Sequence, residues 1–178
     1  MITLNINGTD RLIKNQLSEM SIKEFEEICS ILTIEQDYIE RHIKIFNILG
    51  ISDSDINDIE PKEFIRIAKE FNITSWTGNE FVKEITIGDR IFQSYSGTKY
   101  VLSIRDLSKI EQYIKKDRQN YIVEMLAIIY KEVGVPKDKW YDKDHLEDKI
   151  SLFKDNLTAD IAVPYIELIM NDVIKNIA

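Results

Sequence analysis

Side chains able to do chemistry are few and scattered in this 178-residue chain: two histidines, His42 and His145, one cysteine, Cys29, and 31 Asp and Glu residues. The run most like a metal loop is Asp53-Ser-Asp55-Ile-Asn57-Asp58, which sets oxygen ligands at alternate positions as a calcium loop does. The sixth position, where the sharp turn requires glycine, is Asp58, and the twelfth, where a bidentate carboxylate closes the shell, is Phe64. The run therefore reads as an acidic loop suited to the N-terminus of the helix after it. A zinc site would have to combine distant histidines, one thiol and scattered carboxylates, a set without ligand spacing. Cys29 shares an apolar helix face with Phe25 and Leu32 and has no neighbouring base, so it reads as a small core residue. His42 falls within an apolar helix face, as a hydrogen-bonded core histidine does, whereas His145 lies off the Leu146 stripe and is expected in solvent. Glycine-rich phosphate loops, nucleophile elbows and His-Glu-x-x-His motifs are missing from the sequence. The expectation is a non-enzymatic chain with no catalytic residue, no cofactor and no metal.

Composition narrows the partners. Lys and Arg total 23, for a net charge of -8, and the resulting field repels nucleic-acid phosphate and anionic lipid. Lys115-Lys-Asp-Arg118, the nearest approach to a basic patch, is interrupted by Asp117 and reads as a solvated helix end. No apolar run is of bilayer length, and the start, Met-Ile-Thr-Leu-Asn-Ile-Asn-Gly, has no signal-peptide pattern. With a lone cysteine as well, the expectation is an intracellular protein with neither nucleic acid nor membrane as partner.

The elements that must position these residues begin with Ile2, Leu4 and Ile6, alternating before an Asn7-Gly8 turn as a half-buried strand does. Ser21-Ile-Lys-Glu24 is a capping box for a helix to about Leu32, and Thr33-Ile-Glu-Gln36 offers another for a helix ending at Gly50. After the acidic loop from Ser52 to Glu60, Pro61 occupies the first position of a third helix with Phe64, Ile65, Ile67, Ala68 and Phe71 on its inner face. Composition shifts between Thr74 and Asn79, dividing a mainly helical part, 1–74, from a hairpin-plus-helix part, 75–178. Gly88-Asp89 joins the strands of a hairpin within Phe81 to Tyr95, and Lys99 to Ile104 reads as a further strand. Ser108-Lys-Ile-Glu111 is a third capping box, opening a helix through Ile114. Tyr121 to Val133 reads as one central helix, apolar except for a strip of Asn120, Glu124, Ala127 and Lys131. The charged segment from Lys137 to Asp144 is expected to be a loop docking Trp140 and Tyr141, before a helix striped by Leu146, Ile150 and Phe153. Thr158 caps a last helix with two apolar faces. Ile161, Tyr165, Leu168 and Ile169 form one, and Val163, Met170, Ile174 and Ile177 form the other, which is either covered by the N-terminal helices or serves as the candidate partner-binding surface. The predicted fold is α+β and helix-rich: N-terminal helices and two C-terminal core helices, with a small antiparallel sheet from the central hairpins.

The order of segments carries a resemblance. Ser21-Ile-Lys-Glu-Phe-Glu-Glu-Ile28, a second helix ending Leu49-Gly50-Ile51, Asp58-Ile-Glu-Pro-Lys-Glu-Phe64, Tyr100 to Ile104 running into Asp106-Leu-Ser-Lys-Ile110, then Tyr121 to Tyr130 follow in series. This pattern resembles the tail assembly chaperones and related small virion proteins of large tailed bacteriophages, including crAss-like phages. The resemblance spans most of the chain as helix order and hydrophobic spacing, and implies a protein that orders another virion protein by direct contact. It implies phage virion proteins as partners, possible homo-oligomers, and a place in the host cytoplasm during assembly. No catalytic residue is carried over. The apolar C-terminal helix departs from the mobile or frameshift-extended end of such chaperones, which keeps open a permanent tail, connector or ring subunit. A small hydrolase with an unrecognised carboxylate site is the third reading.

Overall fold

The computed structural model describes residues 1–71, 81–94, 102–117 and 120–169. The fold is α+β and helix-rich, and the chain forms two compact units, Met1–Thr77 and Gly78–Ala178.

The first unit opens with a hairpin of β1 (Ile2–Ile6) and β2 (Thr9–Ile13), paired from Ile2 with Ile13 to Ile6 with Thr9. Asn7 (φ 50) and Gly8 (φ 81) make the tight turn, since a two-residue hairpin loop needs both positions left-handed. Ile2, Leu4, Ile6 and Ile13 are buried. α1 (Ile22–Ile34) carries the expected capping box: the Ser21 hydroxyl accepts from Glu24 N at 3.2 Å and Glu24 Oε2 from Ser21 N at 2.8 Å. The second box, at Thr33, is corrected. Thr33 lies in the last turn of α1 with its hydroxyl donating to Cys29 O at 2.9 Å, a bond threonine can make inside a helix. Asp37 caps α2 (Tyr38–Ile48) instead, accepting from Glu40 N at 2.9 Å, and its charge suits the helix N-terminus. Gly50 (φ 92) ends α2 through bonds from Gly50 N to Asn47 O and from Ile51 N to Phe46 O, the paired pattern of a Schellman cap. The acidic stretch is not all loop: Ser52 caps a short α3 (Asp53–Asn57), too brief to show periodicity. Pro61 starts α4 (Pro61–Glu70) as expected, with Phe64, Ile67, Ala68 and Phe71 buried, but Ile65 is corrected: it is exposed, one position round the helix from the buried face. Phe46 meets Phe64 edge-on at 5.4 Å and Phe71 at 6.4 Å, centring the core.

In the second unit β3 (Glu84–Ile87), β4 (Arg90–Ser94) and β5 (Tyr130–Glu132) form an antiparallel sheet in that order. Two expectations are corrected here. Leu102 to Ile104 is not strand, because Ser103 and Asp106 form a capping box that starts α5 (Ile104–Lys116) one turn ahead of Ser108, which is interior; Lys99 to Val101 lie outside the described residues. The central helix stops early: α6 covers Ile122–Ile129, and the backbone then turns extended at Tyr130 (ψ 122) to pair with β4. Helix propensity is a weak prior, and sheet pairing overrides it at Tyr130, an aromatic residue that suits a buried strand. α7 (Lys143–Asn156) and α8 (Ala159–Ile169) follow, with Thr158 O accepting from Ile161 N. Rings from β4, β5, α7 and α8 stack edge-on in the core: Phe92 on Phe153 at 4.9 Å and Tyr130 on Tyr165 at 5.6 Å. The Tyr130, Tyr165 and Ser94 hydroxyls all donate to Val82 O.

Candidate functional site

The chemically dense part of the described residues surrounds β5. Directly opposed residues of an antiparallel pair share a face, so Glu132 lies with Phe92, and Lys131 lies on the other side with Gln93. Lys131, 4 % exposed, donates from Nζ to Asp106 Oδ1 of α5 at 2.6 Å and also to Ile128 O. Tyr141 donates to the same carboxylate oxygen at 2.7 Å, while Ser103 gives its hydroxyl (2.6 Å) and its N–H (3.0 Å) to Oδ2. Lys131 Nζ stands 4.7 Å from the Tyr141 ring centre and 5.2 Å from that of Trp140, and Trp140 is fixed by a 3.0 Å bond to Val135 O. The two aromatics thus dock as the sequence suggested, and what they cover is an ion pair. Burial alone would raise the Asp106 carboxyl, but the bonds from Lys131, Ser103 and Tyr141 outweigh it and hold it below its ordinary value. Burial pulls the Lys131 ammonium down, and the Asp106 bond works against that. The two groups thus stand at salt-bridge distance in the interior.

Lys149 on α7 is the second buried cation. It has no exposed surface, donates to Tyr130 O at 3.0 Å, and is pulled down to about 7 by burial and then by repulsion from Lys131. One turn earlier on the same helix, His145 corrects the solvated expectation: Nε2 is buried without a hydrogen-bond partner, 3.8 Å from Glu132 Oε2, and burial lowers its pKa. Glu132 is itself held by Arg90 through bonds of 2.8 and 2.6 Å, and Arg90 reaches Asp148 at 2.6 Å.

Chemically this arrangement is a knot. Both Asp106 oxygens are occupied by donors, so the carboxylate has little basicity left to offer a substrate. Lys149 has the pKa of an amine nucleophile, yet no surface through which a substrate could reach it. In the first unit, His42 is buried with Nδ1 2.7 Å from Tyr38 O, and burial lowers its pKa, as a core histidine requires. The Cys29 thiol is half-buried and pushed up to about 11 by burial and by Glu26. Among the described residues no cluster of His, Cys, Asp and Glu could hold a metal, and no helix is long and apolar enough to cross a membrane.

Of the candidate partner-binding residues, Val163 is buried within α8 at 8 % exposure, and Met170, Ile174 and Ile177 lie outside the described residues. Sequence reasoning missed Asp106 and Lys149, and placed Lys131 on the polar strip of a central helix. One signal was available for Lys149: it stands three residues after Leu146 and four before Phe153, on the stripe itself. No family model, no curated protein and no solved structure matches this chain.

Proposed function

We propose that this chain is a non-enzymatic bacteriophage assembly protein that works through protein-protein contacts, in the manner of a tail assembly chaperone. The observation that carries the reading is a contrast between interior and surface. Asp106, Lys131 and Tyr141 are spent on one another in the interior, while large apolar side chains stand in solvent: Ile34, Tyr38 and Ile39 around the α1–α2 junction, and Ile91, Ile104 and Val133 in the second unit. Exposed apolar side chains of this size serve contact with other proteins where they gather into patches. Ile91 and Val133 are gathered, since Val133 N donates to Ile91 O at 2.8 Å across the sheet. The segment order supplies the phage context, which makes virion proteins the partners and the host cytoplasm the place of action.

Affinity capture of the tagged chain from phage-infected cells, paired with mass spectrometry of purified particles, tests this. A tail component bound in the cell and the chain missing from particles supports the chaperone reading. Presence in particles at fixed stoichiometry replaces it with a permanent structural subunit, and capture that returns no virion protein overturns both.

A further inference from the structure

The two edges of the β1–β2 hairpin are unlike. Opposed residues of an antiparallel pair either exchange both backbone bonds or neither, in alternation. The two-residue turn makes Ile6 and Thr9 an exchanging pair, followed by Leu4 with Arg11 and Ile2 with Ile13. The N–H and C=O of Thr3 and Asn5 on β1, and of Asp10 and Leu12 on β2, therefore point away from the hairpin. On β1 those groups are met by α4: Arg66 Nη2 donates to Thr3 O at 3.1 Å, and the Glu63 carboxylate lies against the Asn5 N–H. Glu63 and Arg66 are also paired with each other at 2.6 and 2.8 Å, so they hold a donor and an acceptor where a neighbouring strand would put its own. On β2 no group among the described residues takes the outward bonds of Asp10 and Leu12. Thr9 to Leu12 are exposed, Leu12 by 63 %, with its side chain on the face turned away from Leu4 and Ile6.

We propose that β2 is a self-association edge, where the same strand of a second copy adds antiparallel about a two-fold axis at Leu12 and joins two hairpins into one continuous sheet. Charge selects the occupant and the register. Alternation leaves Asp10 and Leu12 with outward groups, and continued one residue past the end of β2 it puts the Lys14 side chain on their face. An axis at Asp10 opposes two carboxylates, and one at Arg11 opposes two guanidinium groups. An axis at Leu12 sets the exposed leucine against its twin and brings Asp10 opposite Lys14 at both ends. Both charges have capacity for this: Asn5 binds Asp10 through Oδ1 alone at 2.7 Å, and the Lys14 ammonium, half-exposed beside Glu24, keeps a donor in hand. The shared edge is short, so association is weak and concentration-dependent.

Light scattering across a dilution series is expected to show mass rising from 20.9 kDa toward twice that value as concentration increases. Leu12→Lys, at an exposed side chain, is expected to keep the helical circular dichroism and to lose the dimer; Ile65→Lys, exposed on α4, is expected to keep it. In a Cys29→Ala background, Leu12→Cys is expected to cross-link under oxidation, because paired Cα atoms lie about 5.5 Å apart. Asp10→Cys, about 13 Å from its symmetry mate in this register, is expected not to. A mass fixed at 20.9 kDa at every concentration, or a dimer that survives Leu12→Lys, overturns the proposal. Cross-linking through Asp10→Cys in place of Leu12→Cys overturns the register.

Discussion

The two units carry their charges differently. In Met1–Thr77 the ion pairs lie at the surface: Lys44 with Glu35, Arg66 with Glu63 and Glu70, and the half-exposed Lys14 with Glu24. The aromatic centre around Phe46 holds His42 in a form that burial keeps neutral. In Gly78–Ala178 the charges have gone inside, with Asp106, Lys131 and Lys149 among the buried residues. A surface pair adds little to stability and can be removed cheaply, whereas a buried pair broken on one side leaves a stranded charge. The surface pairs of the first unit thus tolerate charge changes, although Glu26 is buried there, whereas the second unit depends on its buried pair and on pH.

Asp106→Ala makes that comparison sharpest. It strands Lys131 in the interior and is expected to destabilise the second unit by about 3–5 kcal/mol, read as a lower urea midpoint. The double variant Asp106→Leu with Lys131→Met removes both charges and is expected to recover most of that loss, which distinguishes a stranded charge from lost packing. Next in size is the pH dependence set by Lys149. Its folded pKa of about 7 lies below the ordinary 10.5. Below pH 7 both states carry the proton and the full burial penalty; from there to about 10.5 the unfolded chain holds a proton that the folded one has released. Stability of the second unit therefore rises with pH across that window, with a slope of at most about 1.4 kcal/mol per pH unit, and Lys149→Met is expected to flatten it. The Asp106 contribution has the same sign but acts in acid: present above the ordinary carboxylate range, it is lost as pH falls through the lowered folded value. Ser21→Ala removes the α1 cap and is expected to cost about 1 kcal/mol in the first unit. The smallest effect is Lys44→Ala, which breaks only surface pairs, with Glu35 and Glu40, and is expected to leave the urea midpoint close to that of the parent chain. A loss there as large as that of Asp106→Ala would break the comparison.

What the sequence made legible follows the same division. Local signals read well where one residue decides the local structure: the Ser21 cap, the Gly50 stop, Pro61 at a helix start, and the Gly88-Asp89 hairpin. They failed where two local signals competed, as with Thr33 against Asp37 and Ser108 against Ser103, because a capping box says where a helix can begin and tertiary contacts say where it does. The buried cluster was illegible for a further reason. Asp106, Lys131 and Tyr141 are joined only when α5, β5 and the segment before α7 come together, and periodicity over a single window cannot register such a meeting. It was the same β5 that made Tyr121 to Val133 look like one helix.

That three-residue strand also sets an order of events in folding. The β3–β4 hairpin closes on its own short turn, but β5 reaches β4 only after the chain between Phe92 and Glu132 has looped back, and non-local pairing is slow because closure precedes its reward. Until then Tyr130 to Glu132 has every local reason to continue α6 as helix. The last step of the second unit is therefore expected to include an unwinding, helix giving way to strand as Lys131, enclosed in the end, finds Asp106.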